Sequence, residues 1–191
     1  MKSTKKLLQI LLAVSLSTNL ILGILYCQST KRTQQLVSEL CGEITLSGLE
    51  ASSRLDEALE TNNRHLALIA GIKLEQLSGL LKSNVSLELG VQNIYGPGSL
   101  SSLAELIIWG DSTLDLSPIG RINDQTPFST SEIAIMEKIS SALKELSLSF
   151  YPKTVTENTY MNEVRLHSTI TAINTALKAL ESTTSDIFNT H

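Results

Sequence analysis

The residues best suited to nucleophilic, acid–base or metal chemistry are few in this chain and lie far apart. There are three histidines, His65, His167 and His191, and two cysteines, Cys27 and Cys41. A zinc site needs ligands at close helical spacing or in a cysteine-rich cluster, and neither pattern is present. We therefore predict no metal site and no bound cofactor, and we expect the histidines to lie on the surface or at its boundary.

The two cysteines are separated by fourteen positions. On one continuous helix this spacing corresponds to about 21 Å, whereas the Cα atoms of a disulfide lie within about 7 Å of each other. An interchain disulfide between two copies of Cys41 is compatible with a parallel dimer in an oxidising compartment. The alternative is that the Cys41 thiol packs in the core, as small thiols on apolar stripes commonly do.

No motif of a familiar catalytic site is present. The chain lacks G-x-S-x-G, the phosphate loop G-x-x-x-x-G-K-[ST], and G-x-G-x-x-G after a strand. Acidic neighbours such as Asp56 and Glu57 fit a solvated helix face better than acid–base catalysis. We predict that the protein is not an enzyme. The alternative is an unfamiliar site around Trp109, His167 and the loop 111–128.

Charge is distributed unevenly along the chain. All nineteen acidic residues follow position 38, and only ten of the fifteen basic residues lie after position 32, so the later part carries a net charge of −9. Binding to nucleic acid depends on neutralising phosphates with basic side chains. This acidic balance excludes nucleic acid as a predicted partner.

The chain carries no charge between Lys6 and Lys31. As a helix, residues 7–27 span roughly 32 Å, which matches a hydrocarbon core of about 30 Å. A cleaved signal needs small residues before the cut, but residues 24–26 read Ile-Leu-Tyr. We therefore predict that 7–27 is a retained transmembrane signal anchor in the lipid bilayer. Lipid attachment at Cys27 is the open alternative.

The residues around this segment predict its orientation and one contact surface. Three lysines precede the segment and two basic residues follow it, which favours a cytoplasmic N-terminus and an extracytoplasmic C-terminal domain. Ser15, Asn19 and Gly23 recur every four residues and so share one face. Small and polar residues in such a stripe allow membrane helices to approach closely. We predict a helix–helix interface at these three residues, with tolerated polar residues in an unpaired helix as the alternative.

Beyond the anchor, apolar residues at three- and four-residue steps predict helices over 33–60, 64–82 and 154–182. The sequence Thr-Asn-Asn at 61–63 is a plausible break. Whether 33–82 forms one helix or a hairpin is left open by the pattern.

The middle of the chain is less regular. Residues 85–91 alternate between apolar and polar, which predicts a short extended piece. The Gly-Pro-Gly turn at 96–98 is followed by Ser99, which can cap a helix. The clearest helix start lies later, where Ser129 and Glu132 have the spacing of a capping box.

These elements together predict an all-α protein. A single N-terminal transmembrane helix continues into an antiparallel bundle of four to five helices. The predicted divisions are a cytoplasmic N-terminus (1–6), the transmembrane signal anchor (7–27), a juxtamembrane helix (28–63), the helical-bundle domain (64–182) and a flexible tail (183–191).

This organisation predicts a single-pass protein of the cell membrane that acts as a protein-interaction or sensing module without catalysis. The expected partners are a protein in or outside the membrane, the bilayer itself and, through a homodimer, a second copy of the chain. The alternative is a structural scaffold component of a cell-envelope assembly of the division, secretion or sporulation type.

Overall fold

One long helix dominates the first third of the molecule. The computed structural model describes residues 2–92, 96–111, 117–122, 124–149 and 163–188, with side chains from residue 14 and, in the last helix, from residue 167. Helix α1, Lys2–Thr61, runs without a break for 60 residues, a length of about 90 Å. Because no proline occurs before Pro97, nothing in this segment removes a helical hydrogen bond.

The remaining elements are also helical. Within the described ranges the chain forms six α-helices and one 3-10 turn and contains no β-strand, which confirms the all-α prediction. After α1 follow α2 (Arg64–Leu81), α3 (Asn84–Glu88), α4 (Leu100–Trp109), α5 (Thr130–Leu148), α6 (Glu163–Thr184) and the 3-10 turn (Ser185–Phe188). Residues 150–162, where the last helix was predicted to begin, lie outside the described residues.

The connection between α1 and α2 shows whether residues 33–82 form one continuous helix or a helical hairpin. Asn62 has a φ of 51°, a left-handed conformation that Asn tolerates better than most residues. Asn63 then caps α2, its side chain accepting a hydrogen bond from the amide of His65. The two helices run antiparallel, as the 3.1 Å ion pair between Lys73 of α2 and Glu50 of α1 shows. Residues 33–81 therefore form a hairpin.

Helix α5 packs antiparallel against α1. Near the middle of the contact, the Ser140 hydroxyl donates to Asp56 at 2.6 Å, and Lys144 forms an ion pair with the same carboxylate at 2.6 Å. Further along, Gly48 lies against Ser147, where a Cβ on the glycine would come within 2.3 Å of the serine hydroxyl. The absence of a side chain at Gly48 thus allows the two helices to approach closely.

The core lies between α1, α2, α4, α5 and α6. Helix α4 packs on α2, and α6 packs on both α5 and α1. The 3-10 turn continues this packing: Ile187 is buried, and Lys138 of α5 pairs with Asp186. Residues 183–188 therefore contact the bundle through a buried side chain and an ion pair, and the flexible tail at 183–191 stays a prediction. The last three residues lie outside the described part.

The predicted extended piece at 85–91 is wrong at its start. Residues 84–88 form the short helix α3, which the side chain of Ser83 caps by accepting a hydrogen bond from the amide of Ser86. The Ser86 hydroxyl in turn donates to the carbonyl of Leu80 at 2.8 Å. These local side-chain bonds favour a helical turn, and the alternating pattern finds no partner strand among the described residues.

The N-terminal half of α1 stands apart from the bundle. Every described side chain from Val14 to Ser29 is exposed, and the first fully buried residue of the helix is Val37. Among the residues that the structure describes, no helix is both long and apolar enough to cross a membrane. The predicted transmembrane helix at 7–27 is therefore unsupported, and its first seven side chains lie outside the described part.

Gly120 provides a test of close packing in the bundle. Its amide donates to the carbonyl of Ile107 at 2.9 Å, and an added Cβ would lie 2.5 Å from the backbone of Leu68 in α2. We expect Gly120→Ala to lower the free energy of unfolding by about 1–3 kcal/mol, because a backbone atom cannot move aside as a side chain can. Urea unfolding followed by far-ultraviolet circular dichroism measures the change.

The matched control is Gly79→Ala. Gly79 lies on the exposed face of α2, and an added Cβ would meet nothing within 4 Å. Alanine in a helix is favoured over glycine by about 0.5–1 kcal/mol, so this variant should be slightly more stable than the parent. Equal stability changes for the two variants would contradict the described approach of residue 120 to α2.

Candidate functional site

The most highly connected polar residue is Arg64, the first residue of α2. It is only 3% exposed, which is unusual for an arginine. Its guanidinium lies between the α1–α2 turn, the segment 117–128 and the start of α5. A cation is unfavourable at a helix N-terminus, so the burial of Arg64 there requires strong compensation.

Glu132 of α5 provides most of that compensation. Nη1 and Nη2 of Arg64 donate to Oε1 and Oε2 of Glu132 at 2.8 and 2.9 Å. This two-pronged geometry is the strongest form of arginine–carboxylate hydrogen bonding. The pair joins helices whose residues are 68 positions apart in sequence.

The rest of the guanidinium binds the segment before α5. Arg64 also donates to the carbonyls of Ile119, Thr126 and Pro127, at 2.9, 3.1 and 3.3 Å respectively. The ring of Phe128 lies 4.6 Å from the centre of its charge, within the range of a cation–π interaction. A single side chain thus positions residues 119–122 and 124–128.

Glu132 has a second role at the start of α5. Its Oε2 accepts from the amide of Ser129 at 2.7 Å, while the Ser129 hydroxyl accepts from the amide of Glu132, so the predicted capping box is confirmed. Burial raises the pKa of Glu132, but the hydrogen bonds from Arg64 and Ser129 outweigh burial and hold it below the ordinary value of 4.5. The carboxylate therefore stays ionised and paired.

Beside this ion pair, the distal end of the bundle forms an open polar pocket, which we call the tip pocket. Its volume is about 620 Å³. The α1–α2 turn forms one wall and the segment after Gly120 forms the other. Its lining residues are Thr61, Asn62, Asn63, His65, Arg121, Ile122, Asp124 and Gln125.

The predicted membrane-helix interface lies at the opposite end. Ser15, Asn19 and Gly23 are all exposed on the isolated half of α1. Asn19 and Gly23 line a shallow apolar groove of about 480 Å³ that continues to Cys27. Nothing lies within 4 Å of the position of a Cβ on Gly23, so this face is open to a partner.

Cys41 lies in a different environment from Cys27. It is 2% exposed and belongs to the core, whereas Cys27 is exposed. An interchain disulfide at Cys41 would therefore require the bundle to open at α1. That disulfide remains a prediction, and the packing alternative accounts for the burial.

The histidines and the predicted alternative site are not brought together. His65 and His167 are both exposed, and Trp109 is 75% exposed at the end of α4. Parts of the loop 111–128, and His191, lie outside the described residues. In the part of the chain that the structure describes, no three His, Cys, Asp or Glu residues are close enough to hold a metal ion.

The pattern of the sequence does not single out Arg64, although its position carries a signal. The charge of Arg64 in the first helical turn opposes the helix dipole, which suggests a partner elsewhere. The identity of that partner depends on a contact across 68 positions. No local pattern specifies such a contact.

Comparison with known proteins gives no relative from which to transfer a function. No protein-family model matches the chain, and no curated protein or solved structure shows a significant match. Only the residues of this chain therefore indicate its function.

The Arg64–Glu132 pair predicts a specific response to mutation and pH. We expect Glu132→Gln to lower the free energy of unfolding by about 3–5 kcal/mol, because the buried cation loses its close carboxylate partner and keeps only Asp124, whose Oδ2 lies 3.8 Å from Nε of Arg64. Glutamine still supports a capping box, so the loss reports mainly on the ion pair. Urea unfolding measured at several pH values provides the test.

The sign of the pH dependence follows from the lowered pKa of Glu132. The contribution of the carboxylate to stability is fully present above its ordinary value of 4.5 and is lost as the pH falls through the lower value of the folded state. Glu132→Gln should remove this part of the acid dependence. Glu57→Gln is the control, because Glu57 forms an ion pair with Arg54 on the surface, where the side chains of Arg54 and Glu57 are 40% and 46% exposed. The free energy of unfolding of this variant should differ from that of the parent chain by no more than about 0.5 kcal/mol. Similar losses in the two variants would contradict the role of the buried pair.

Proposed function

We propose that this chain is a membrane-anchored helical-bundle protein that acts as an interaction or sensing module without catalysis. The observation that carries the proposal is the continuity of α1. The same unbroken helix provides an exposed, uncharged and largely apolar segment over residues 14–29 and the central element of the bundle core.

The exposed half of α1 supports an anchor. Its apolar side chains cover most sides of the helix; they include Leu16, Leu20, Ile21, Leu22, Ile24 and Leu25. The polar residues among them are Ser15, Ser17, Thr18 and Asn19. A helix that is apolar around most of its circumference is commonly covered by protein or by a bilayer. Residues 14–26 span only about 20 Å, so the proposed anchor needs the uncharged residues from position 7 as well. The flanking lysines favour a cytoplasmic N-terminus and an extracytoplasmic bundle.

The electrostatics of the bundle support a role without catalysis. Among the described residues, every carboxylate whose pKa departs clearly from its ordinary value has a lowered pKa. Hydrogen bonds lower these pKa values more than burial raises them. A general acid or base works best with a pKa near the operating pH. The four displaced carboxylates are Asp56, Asp124, Glu132 and Asp186.

The continuity of α1 also supports transmission of movement. Val37, Ile44, Ala51 and Leu55 of this helix are fully buried in the core. A displacement of the anchor along its axis therefore acts directly on core contacts. The tip pocket lies about 54 Å along the helix from Tyr26, so its surface can be reached by a partner outside the membrane.

The anchor predicts different effects for two leucines of the same helix. Leu20 and Leu46 are 67% and 66% exposed, but only Leu20 lies in the proposed anchor. We expect Leu20→Arg to disfavour insertion by about 2.5–3.5 kcal/mol, the cost of an arginine near the centre of a membrane helix. The readout is the fraction of protein that stays with isolated membranes after alkaline extraction.

Leu46→Arg is the matched control, because it places the same charge on an equally exposed site of the bundle. It should be retained on membranes like the parent chain. Release of the parent chain by alkaline extraction, or equal retention of both variants, would contradict an anchor at 7–27.

The second candidate is a scaffold component of an envelope assembly. The observation that favours it is the open groove along Asn19, Gly23 and Cys27, because a groove at a glycine allows a second membrane helix to approach closely. Ser15 extends the same face by one turn. Self-association through this face would build an assembly without another protein.

This interface predicts which cysteine crosslinks. If two chains pair through Asn19 and Gly23, their Cys27 residues face each other, so copper-catalysed oxidation in membranes should give a reducible dimer. Cys27→Ser should abolish the dimer and Cys41→Ser should leave it intact, because Cys41 is buried in the core of its own chain. A dimer that depends on Cys41, or no dimer in the parent chain, would contradict the interface.

A further inference from the structure

Several hydrogen-bond donors of the tip pocket have no acceptor among the described residues. The side-chain oxygens of three of its lining residues, in contrast, each accept a hydrogen bond. The side-chain oxygen of Asn62 accepts from the amide of Phe128 at 3.1 Å, and that of Asn63 accepts from the amide of His65 at 3.1 Å. The NH₂ groups of both asparagines donate no hydrogen bond within the described part of the chain.

The charged residues of the pocket show the same difference between occupied oxygens and unpaired donors. Oδ1 of Asp124 accepts from the amide and the hydroxyl of Thr126 at 2.9 and 2.7 Å. Oδ2 of Asp124 accepts from Nη1 of Arg121 at 3.0 Å. Arg121 also donates through Nε to the carbonyl of Pro118 at 2.8 Å. A guanidinium has five N–H groups, so three of those of Arg121 have no acceptor among the described residues.

We propose that the tip pocket binds a carboxylate of a partner polypeptide, with Arg121 and the NH₂ groups of Asn62 and Asn63 as donors. This inference rests on the proposed function, since it specifies the chemistry of the interaction surface. It needs only the donors of one pocket and does not depend on how the chain is anchored.

The chemistry of the pocket selects a carboxylate over a more highly charged anion. The formal charges of Arg121 and Asp124 cancel, and the domain as a whole is acidic. A dianion such as a phosphate is therefore repelled more strongly than a single carboxylate. The planar guanidinium also matches the two oxygens of a carboxylate.

The tip pocket is large enough for a carboxylate side chain or a chain end. Its volume of about 620 Å³ lies within the range of roughly 300–1,000 Å³ that small-ligand sites occupy. The α1–α2 turn forms one wall, and Arg121, Ile122, Asp124 and Gln125 form the other. Arg64 holds the residues on either side of this second wall through its bonds to Ile119 and Thr126. The donors are therefore held in place before a ligand arrives.

The test uses the full chain, labelled with ¹⁵N-arginine and held in zwitterionic detergent micelles. The NMR signals of the arginine Nε–H groups are followed during titration with three glycine-based peptides of five residues. One is capped at both ends and carries a central glutamate; the second has a free C-terminal carboxylate and no acidic side chain; the third is capped at both ends and neutral. The first two distinguish a side-chain carboxylate from a chain end.

We expect a saturable shift of the Arg121 signal with at least one carboxylate probe and none with the neutral probe. Arg121→Gln should weaken binding by about tenfold, because charge-assisted hydrogen bonds are roughly twice as strong as neutral ones. Arg54→Gln is the matched control, since Arg54 forms a similar i,i+3 ion pair and is similarly exposed. It should leave the affinity unchanged.

Asn63→Ser is the second variant, because serine retains the cap of α2 and removes the NH₂ donor. We expect it to weaken binding severalfold, with the Arg64 signal unchanged as evidence of an intact fold. The absence of a saturable shift, equal shifts with the neutral probe, or equal losses in the Arg54 and Arg121 variants would overturn the proposal. Release from membranes would overturn the proposed anchor and leave the titration unaffected.

Discussion

The distal end of this bundle depends on one buried cation. Arg64 begins α2, yet its guanidinium is held by Glu132 of α5 and by three carbonyls of the segment before it. A hydrophobic contact of the same area has no preferred direction, so it would not determine the positions of these carbonyl groups. The guanidinium does so because its donors have fixed directions. The α1–α2 turn, residues 119–122 and 124–128, and the start of α5 are therefore positioned relative to one another by a single set of hydrogen bonds.

Glycines at the contacts between elements provide the second constraint. Gly48 allows α1 and α5 to meet at Ser147, Gly71 lies against Ile107 of α4, and Gly120 lies against Leu68. Each contact would be obstructed by one added carbon atom. These close contacts bring leucine and isoleucine side chains of neighbouring helices together in the core. The exposed residues 14–29 of α1 do not belong to that core. The molecule thus separates into a packed bundle and an unpacked apolar helix.

The sequence predicted what is local and missed what is distant. The capping box of Ser129 and Glu132 was predictable because its members lie three residues apart, and the cap at Ser99 was predictable for the same reason. The hairpin at Asn62 depends on one backbone angle, which the pattern left open. The alternating pattern of residues 85–91 suggested an extended piece, because a pattern of apolar and polar residues does not include the effect of the helix cap at Ser83. The donors of the tip pocket were not predicted, because they come from two segments about 60 positions apart that are joined by the non-local contacts of Arg64.

The order in which α1 finds its partners has a consequence for synthesis. Helix α1 is made first, but its contact at Gly48 is completed by Ser147, ninety-nine residues later in the chain. Until α5 has left the ribosome, the apolar stripe from Val37 to Ala58 has only α2 to cover it. Non-local contacts of this kind form slowly, and exposed apolar surface favours aggregation in the meantime. A nascent chain already held by its N-terminal helix would stay apart from its neighbours during that interval.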